Sequence, residues 1–63
     1  MEAPLDIKIE VFTKDEEDDK YCAIVMGWDD KDWYNTGIVV RDLSPRLAFN
    51  RALKSATEVG WWK

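Results

Sequence analysis

Apolar residues at Leu5, Ile7, Ile9 and Val11 alternate with Asp6, Lys8 and Glu10. A period of two predicts a strand with one buried face. Phe12 breaks the alternation at its end. The next apolar segment, Tyr21 to Trp28 (YCAIVMGW), is apolar on both faces. That pattern belongs to a central strand covered on both sides, or covered on one side by something outside the monomer. A third strand is predicted over Trp33 to Val40, where an interior Gly37 marks a bulge or a close backbone approach. Arg41, Asp42 and Leu43 lead out of it.

The period then changes. Ala48, Phe49, Ala52, Leu53, Ala56 and Val59 recur at helical spacing, with Arg46, Asn50, Arg51, Lys54 and Glu58 on the remaining faces. Ser44 is placed to cap this helix, because its hydroxyl can accept from a free N–H of the first turn. Pro45 fits the first helical position, where its missing N–H costs nothing. Leu47 stands where a capping box would need Glu. Gly60 fits the left-handed residue that ends a helix. The spacing therefore predicts a helix from near Pro45 to near Val59. A helix this short is marginal alone in water and must pack its apolar stripe on something.

Short connections favour pairing of neighbours, which places the second strand in the middle. The expected fold is α+β: a three-stranded antiparallel meander followed by one C-terminal amphipathic helix on one face, β-β-β-α, in a single domain over residues 1–63. The other sheet face has no predicted cover. Some of Tyr21, Trp33, Tyr34 and the terminal Trp61 and Trp62 are expected near it. Uncovered apolar faces of this kind are common interaction surfaces.

Composition narrows the function. A chain of 63 residues hides only about 60% of its unfolded surface, so its stability should be modest. One Cys and no His leave no intramolecular disulfide, and they argue against a zinc site or a His-based triad. Four Trp, two Tyr and two Phe compensate with large buried rings, or a partner subunit does so. The N-terminal residues lack the basic start and apolar core of a signal peptide. No apolar run approaches the ~20 residues that cross a membrane. The free Cys22 in a strand suits a reducing compartment, so a cytoplasmic, soluble protein is expected.

The charge is segregated. Residues 1–37 carry eleven acids against four Lys, whereas residues 38–63 carry five basic residues against two acids. The acids cluster in two turns: Asp15, Glu16, Glu17, Asp18 and Asp19, and then Asp29, Asp30 and Asp32. Such runs repel and stay solvated. One role for them is to keep a small apolar chain soluble. The other is to imitate nucleic-acid phosphates and steer the chain onto a basic groove of a protein partner. Direct nucleic-acid binding would use Arg46, Arg51 and Lys54 with stacked aromatic rings, but the net charge of −4 opposes it.

Other chemistry finds no support in the pattern. Counted from Asp29, the calcium-loop positions that need Gly and Glu hold Tyr34 and Val40. Cys22 has no His to activate it and reads as a small apolar residue. The carboxylates fall in predicted exposed turns and not in a pocket that would separate their pKa values. No cofactor and no enzymatic activity are expected. Trp61 and Trp62 are adjacent, so both rings cannot readily enter one small core; one of them, or both, is a candidate interface anchor with Trp28 and Trp33.

Tyr21-Cys22-Ala23, the cap at Ser44 and the segment Ala48-Phe49-Asn50-Arg51-Ala52 occupy places similar to those in HicB-like antitoxin domains. Those domains share a Tyr-x-Ala strand and a capped helix with an Ala-Leu-x-x-Ala pattern. The chain departs from them at Pro45-Arg46-Leu47, where acids are usual, and in lacking a Pro-Gly-Cys type turn. The resemblance implies a domain that binds a toxin nuclease and oligomerises, here as a homodimer through the open sheet face. The chain also looks like small phage-encoded proteins that inhibit host enzymes, and it reads as a complete small reading frame of that kind. The leading expectation is a non-enzymatic inhibitor or adaptor for a host protein with a nucleic-acid-handling surface. Asp15 to Asp19 and Asp29 to Asp32 would dock it electrostatically, and Trp28, Trp33, Trp61 and Trp62 would anchor it.

Overall fold

A computed structural model describes residues 3–13 and 19–62. Three strands, β1 (Asp6–Phe12), β2 (Tyr21–Trp28) and β3 (Trp33–Asp42), are followed by one helix, α1 (Pro45–Glu58). The strands form one antiparallel sheet in the order β1-β2-β3. The fold is the expected β-β-β-α arrangement. β3 continues past Val40, because Arg41 and Asp42 pair with Cys22 and Tyr21 and do not form a loose lead into the helix.

The β1–β2 register sets Ile7 against Gly27, Ile9 against Val25 and Val11 against Ala23. These residues share the face that α1 covers. Ala23, Val25, Ala48, Ala52 and Ala56 are fully buried, and Ile7, Ile9, Tyr21, Ile38, Val40 and Trp61 pack against them. The helix presents three alanines on successive turns, and small side chains let a helix sit close on a sheet.

Gly37 does sit in a bulge. The register runs from Ile24 against Val39 to Met26 against Asn35, so Val25 alone faces Thr36, Gly37 and Ile38. Gly37 has φ +90°, a conformation that side chains disfavour. The Thr36 hydroxyl donates to the Val25 carbonyl at 2.7 Å, and the Gly37 N–H donates to Asn35 Oδ1 at 2.8 Å. The insertion is even, so Tyr34 stays on the same face as Ile38 and Val40.

Both helix ends follow their sequence signals. Ser44 Oγ accepts from the Leu47 N–H at 3.1 Å, and Pro45 begins the helix. At the other end Gly60 takes φ +86°. Its N–H donates to Thr57 O at 3.0 Å, and the Trp61 N–H reaches back to Ala56 O at 2.9 Å. This pair of bonds is a Schellman ending, which normally brings the residue after the glycine against the last helical turn. Here that residue is Trp61, and it packs on the buried alanine cluster. Arg51 ties the helix to the end of β3, donating to Arg41 O at 3.0 Å with Asp42 at 3.6 Å.

Candidate functional site

The second sheet face carries no helix. Alternation places Ile24, Met26 and Trp28 of β2 on it, flanked by Trp33 and Val39 of β3 and by Lys8, Glu10 and Phe12 of β1. The β2 members are half-buried by their neighbours, whereas Phe12 and Val39 are 45% and 46% exposed. An apolar stripe thus runs the length of the sheet, with no helix or strand over it among the described residues.

Trp28 and Trp33 face each other across the last rung of the β2–β3 ladder. Their ring centroids are 5.3 Å apart with planes tilted by 51°, a favourable arrangement for aromatic quadrupoles. The Lys8 ammonium lies 4.4 Å from the Trp33 ring centroid, close enough for a cation–π contact, and pairs with Glu10 at 3.2 Å. Trp33 therefore already holds one cation against its ring.

Some of the aromatic residues were expected near this face, and they divide between the two faces. Trp33 does lie on it, joined by Trp28. Tyr21 and Trp61 are on the helix side, packed on the alanine cluster. Tyr34 is also on the helix side, because it pairs with Gly27, where a Cβ would stand 2.7 Å from the tyrosine Cζ. The physical reason is alternation and register: Tyr21 has the parity of Ala23 and Val25, and the even insertion at Gly37 leaves Tyr34 opposite Gly27. Trp62 is 45% exposed beyond the helix end. The structure thus separates the terminal pair and does not bring Trp61 or Trp62 to the Trp28–Trp33 pair.

The second acidic turn adjoins that pair. Asp29 shapes the turn: its Oδ1 accepts from the Lys31 N–H at 2.9 Å and the Asp32 N–H at 2.8 Å. These two bonds, first the one from Asp32, hold the Asp29 carboxyl below its ordinary range, against a small opposing effect of desolvation. Asp30 takes φ +80° at the tip. Asp29, Asp30 and Asp32 are all exposed. Asp29 thus has a structural task as well as a charge, and the spacing Asp-x-x-Asp after a strand was the signal for such a turn. Of the first turn, Asp19 is exposed with φ +59°; Asp15, Glu16, Glu17 and Asp18 lie outside the described residues.

A half-open cavity of about 250 Å³ lies at the same end of the sheet, lined by Ala3, Pro4, Leu5, Trp28, Asp29 and Tyr34. Its carboxylate is the turn-forming Asp29. Cys22 is half-buried and free. Among the described residues no three His, Cys, Asp or Glu side chains come together as a metal-binding group, and no helix is long and apolar enough to cross a membrane.

The fold and the face together define a small α+β domain with a two-layer core and one open sheet surface. Comparison with known proteins adds nothing to that class: no family model matches the chain, and no curated protein or solved structure is similar to it.

Proposed function

We propose that this chain is a non-enzymatic protein-binding module, an inhibitor of the small phage-encoded kind, acting on a host protein with a basic, nucleic-acid-handling surface. The observation that carries the reading is the apolar sheet face with its Trp28–Trp33 pair beside an exposed turn of three acids. Paired tryptophans supply the large, rigid contact area that dominates protein interfaces. The adjoining carboxylates supply long-range attraction to a basic surface and raise the rate of encounter more than the final affinity. The acids are solvated, as groups that first meet a partner across water should be. The cavity lends no competing reading, since its carboxylate is committed to backbone N–H groups of its own turn.

The test is capture from a bacterial lysate on the immobilised chain, washed at low and at high salt, followed by an activity assay on the retained protein. The expected result is a nucleic-acid-handling enzyme held at low salt, released at high salt and inhibited one-to-one by the chain. Retention that is indifferent to salt, or an enzyme whose activity is untouched, would remove the inhibitor reading.

A further inference from the structure

The sheet has two free edges. Among the described residues no strand lies beyond β1 on one side or beyond β3 on the other. A free edge offers a row of N–H and C=O groups to any strand that can pair with it. The edge of β3 is broken by the bulge at Gly37, a common way to blunt one. β1 pairs with β2 over all seven of its residues without a register shift, and it contains no proline or glycine.

The direction of the free groups on β1 follows from its neighbour. The Val25 carbonyl accepts from the Thr36 hydroxyl, so it points towards β3. Ile9 lies opposite Val25, and this pair therefore exchanges no hydrogen bonds within the β1–β2 ladder. The N–H and C=O of Ile9 point away from β2, and alternation turns those of Ile7 and Val11 the same way. The Ile7 N–H is accordingly taken by Asp6 Oδ1 of its own strand at 2.9 Å.

Charge on an edge strand discourages most partners, yet Lys8 and Glu10 fit a second copy of β1. Antiparallel pairing centred on Ile9 uses the whole strand. It sets Ile9 against Ile9, Ile7 against Val11, Lys8 against Glu10 and Asp6 against Phe12 of the second copy. Lys8 and Glu10 then fall at the positions without hydrogen bonds, where facing side chains come closest. Centring on Lys8 or on Glu10 would oppose like charges and the wrong backbone groups. We propose that β1 is a self-association site, where two copies pair antiparallel about a two-fold axis at Ile9 and join their sheets into one. Ile9 exchanges both of its bonds with Ile9 of the second copy, and Ile7 does so with Val11. Lys8 and Glu10 lie 3.2 Å apart within one copy, so the contact brings two such pairs together as alternating charges. It leaves the Trp28–Trp33 face open and stands apart from the protein-binding reading above.

The test is sedimentation equilibrium of the full chain and its charge variants at low salt, with folding checked by circular dichroism. The expected result for the parent chain is a dimer that dissociates on dilution. Lys8→Glu sets acid against acid at both pairs, and Glu10→Lys sets base against base. Each alone should associate at least about tenfold more weakly. An equimolar mixture of the two variants restores opposite charges at both pairs and should recover the parent's association; damage confined to one chain would not be repaired by mixing. Amide exchange at Ile9 and Val11 should slow as the concentration of the parent rises. A chain that stays monomeric at about 1 mM overturns the proposal. So does a mixture that associates no better than its components, or a dimer in which those two amides exchange as fast as in the monomer. A dimer that Val39→Glu dissolves would assign the contact to the open face and refute the edge.

Discussion

Single residues in this chain carry structure and charge at once, and Asp29 shows how to separate the two. Its carboxylate accepts two backbone N–H groups, so its pKa is lowered in the folded state. A lowered carboxyl stabilises the fold fully above its unfolded value of about 3.9 and loses that contribution as the pH falls through the folded value. Asp29→Ala should therefore lower the thermal midpoint at neutral pH, and the gap to the parent chain should narrow on acidification below pH ~4. Asp29→Asn keeps an acceptor oxygen without the charge, so it should fall between the two, at a distance from the alanine variant that does not depend on pH. A gap that stays constant to low pH for Asp29→Ala would mean that the carboxylate does not hold the turn. Asp30 tests the turn by another route. At φ +80° it tolerates glycine, whereas Asp30→Val should cost about 1 kcal/mol or more in denaturant unfolding, because a branched Cβ clashes in the left-handed region.

At the scale of elements, the helix is bounded by two local devices whose worth can be predicted. Ser44→Ala removes the hydroxyl that accepts the Leu47 N–H and should cost about 1 kcal/mol. Gly60→Ala forces a side chain into φ +86° and should cost about the same; it should also raise the exposure of Trp61, visible as a red shift in fluorescence, since the same turn brings that residue back onto the buried cluster. An unshifted spectrum with the full loss of stability would mean that Trp61 is held by the core alone. These devices were legible from the sequence because caps are local: Ser44-Pro45 and Gly60 announce themselves within three residues. β2 was legible to its ends for a similar reason, as an unbroken apolar run between charged turns. What was not legible depended on contacts distant in the chain. Arg41 and Asp42 read as a linker because both are charged, yet they extend β3, where Arg51 from the helix meets both. The face of Tyr34 depended on the two-residue insertion at Gly37, which leaves it opposite Gly27; an insertion of one residue would have turned it to the open side.

The whole molecule is lopsided, and the asymmetry between its two faces is the property that bears on function. Among the described residues its fully buried side chains are those of four alanines and Val25, while Phe12, Val39 and the Trp28–Trp33 pair face away from the helix. Stability and recognition should therefore map to opposite sides of one sheet. Val25→Ala empties space beneath the helix and should cost about 2–3 kcal/mol, from lost transfer energy and a cavity that cannot fully collapse. Val39→Ala removes the same two methyl groups from the open face and should cost less than about 1 kcal/mol, mostly the lower strand preference of alanine. Urea unfolding of the two variants, at several chain concentrations, measures the contrast. If the isolated chain leaves the face open, Val39→Ala stays mild at every concentration, and its cost appears only when a bound partner must be released. If Val39→Ala is as damaging as Val25→Ala and grows worse on dilution, the face is already covered by another copy, because only association makes stability depend on concentration. The exposed turn of Asp29, Asp30 and Asp32 beside the Trp28–Trp33 pair bears on the choice: in water of low ionic strength, a second copy that brought its own such turn against this one would meet like charges before its apolar centre could close.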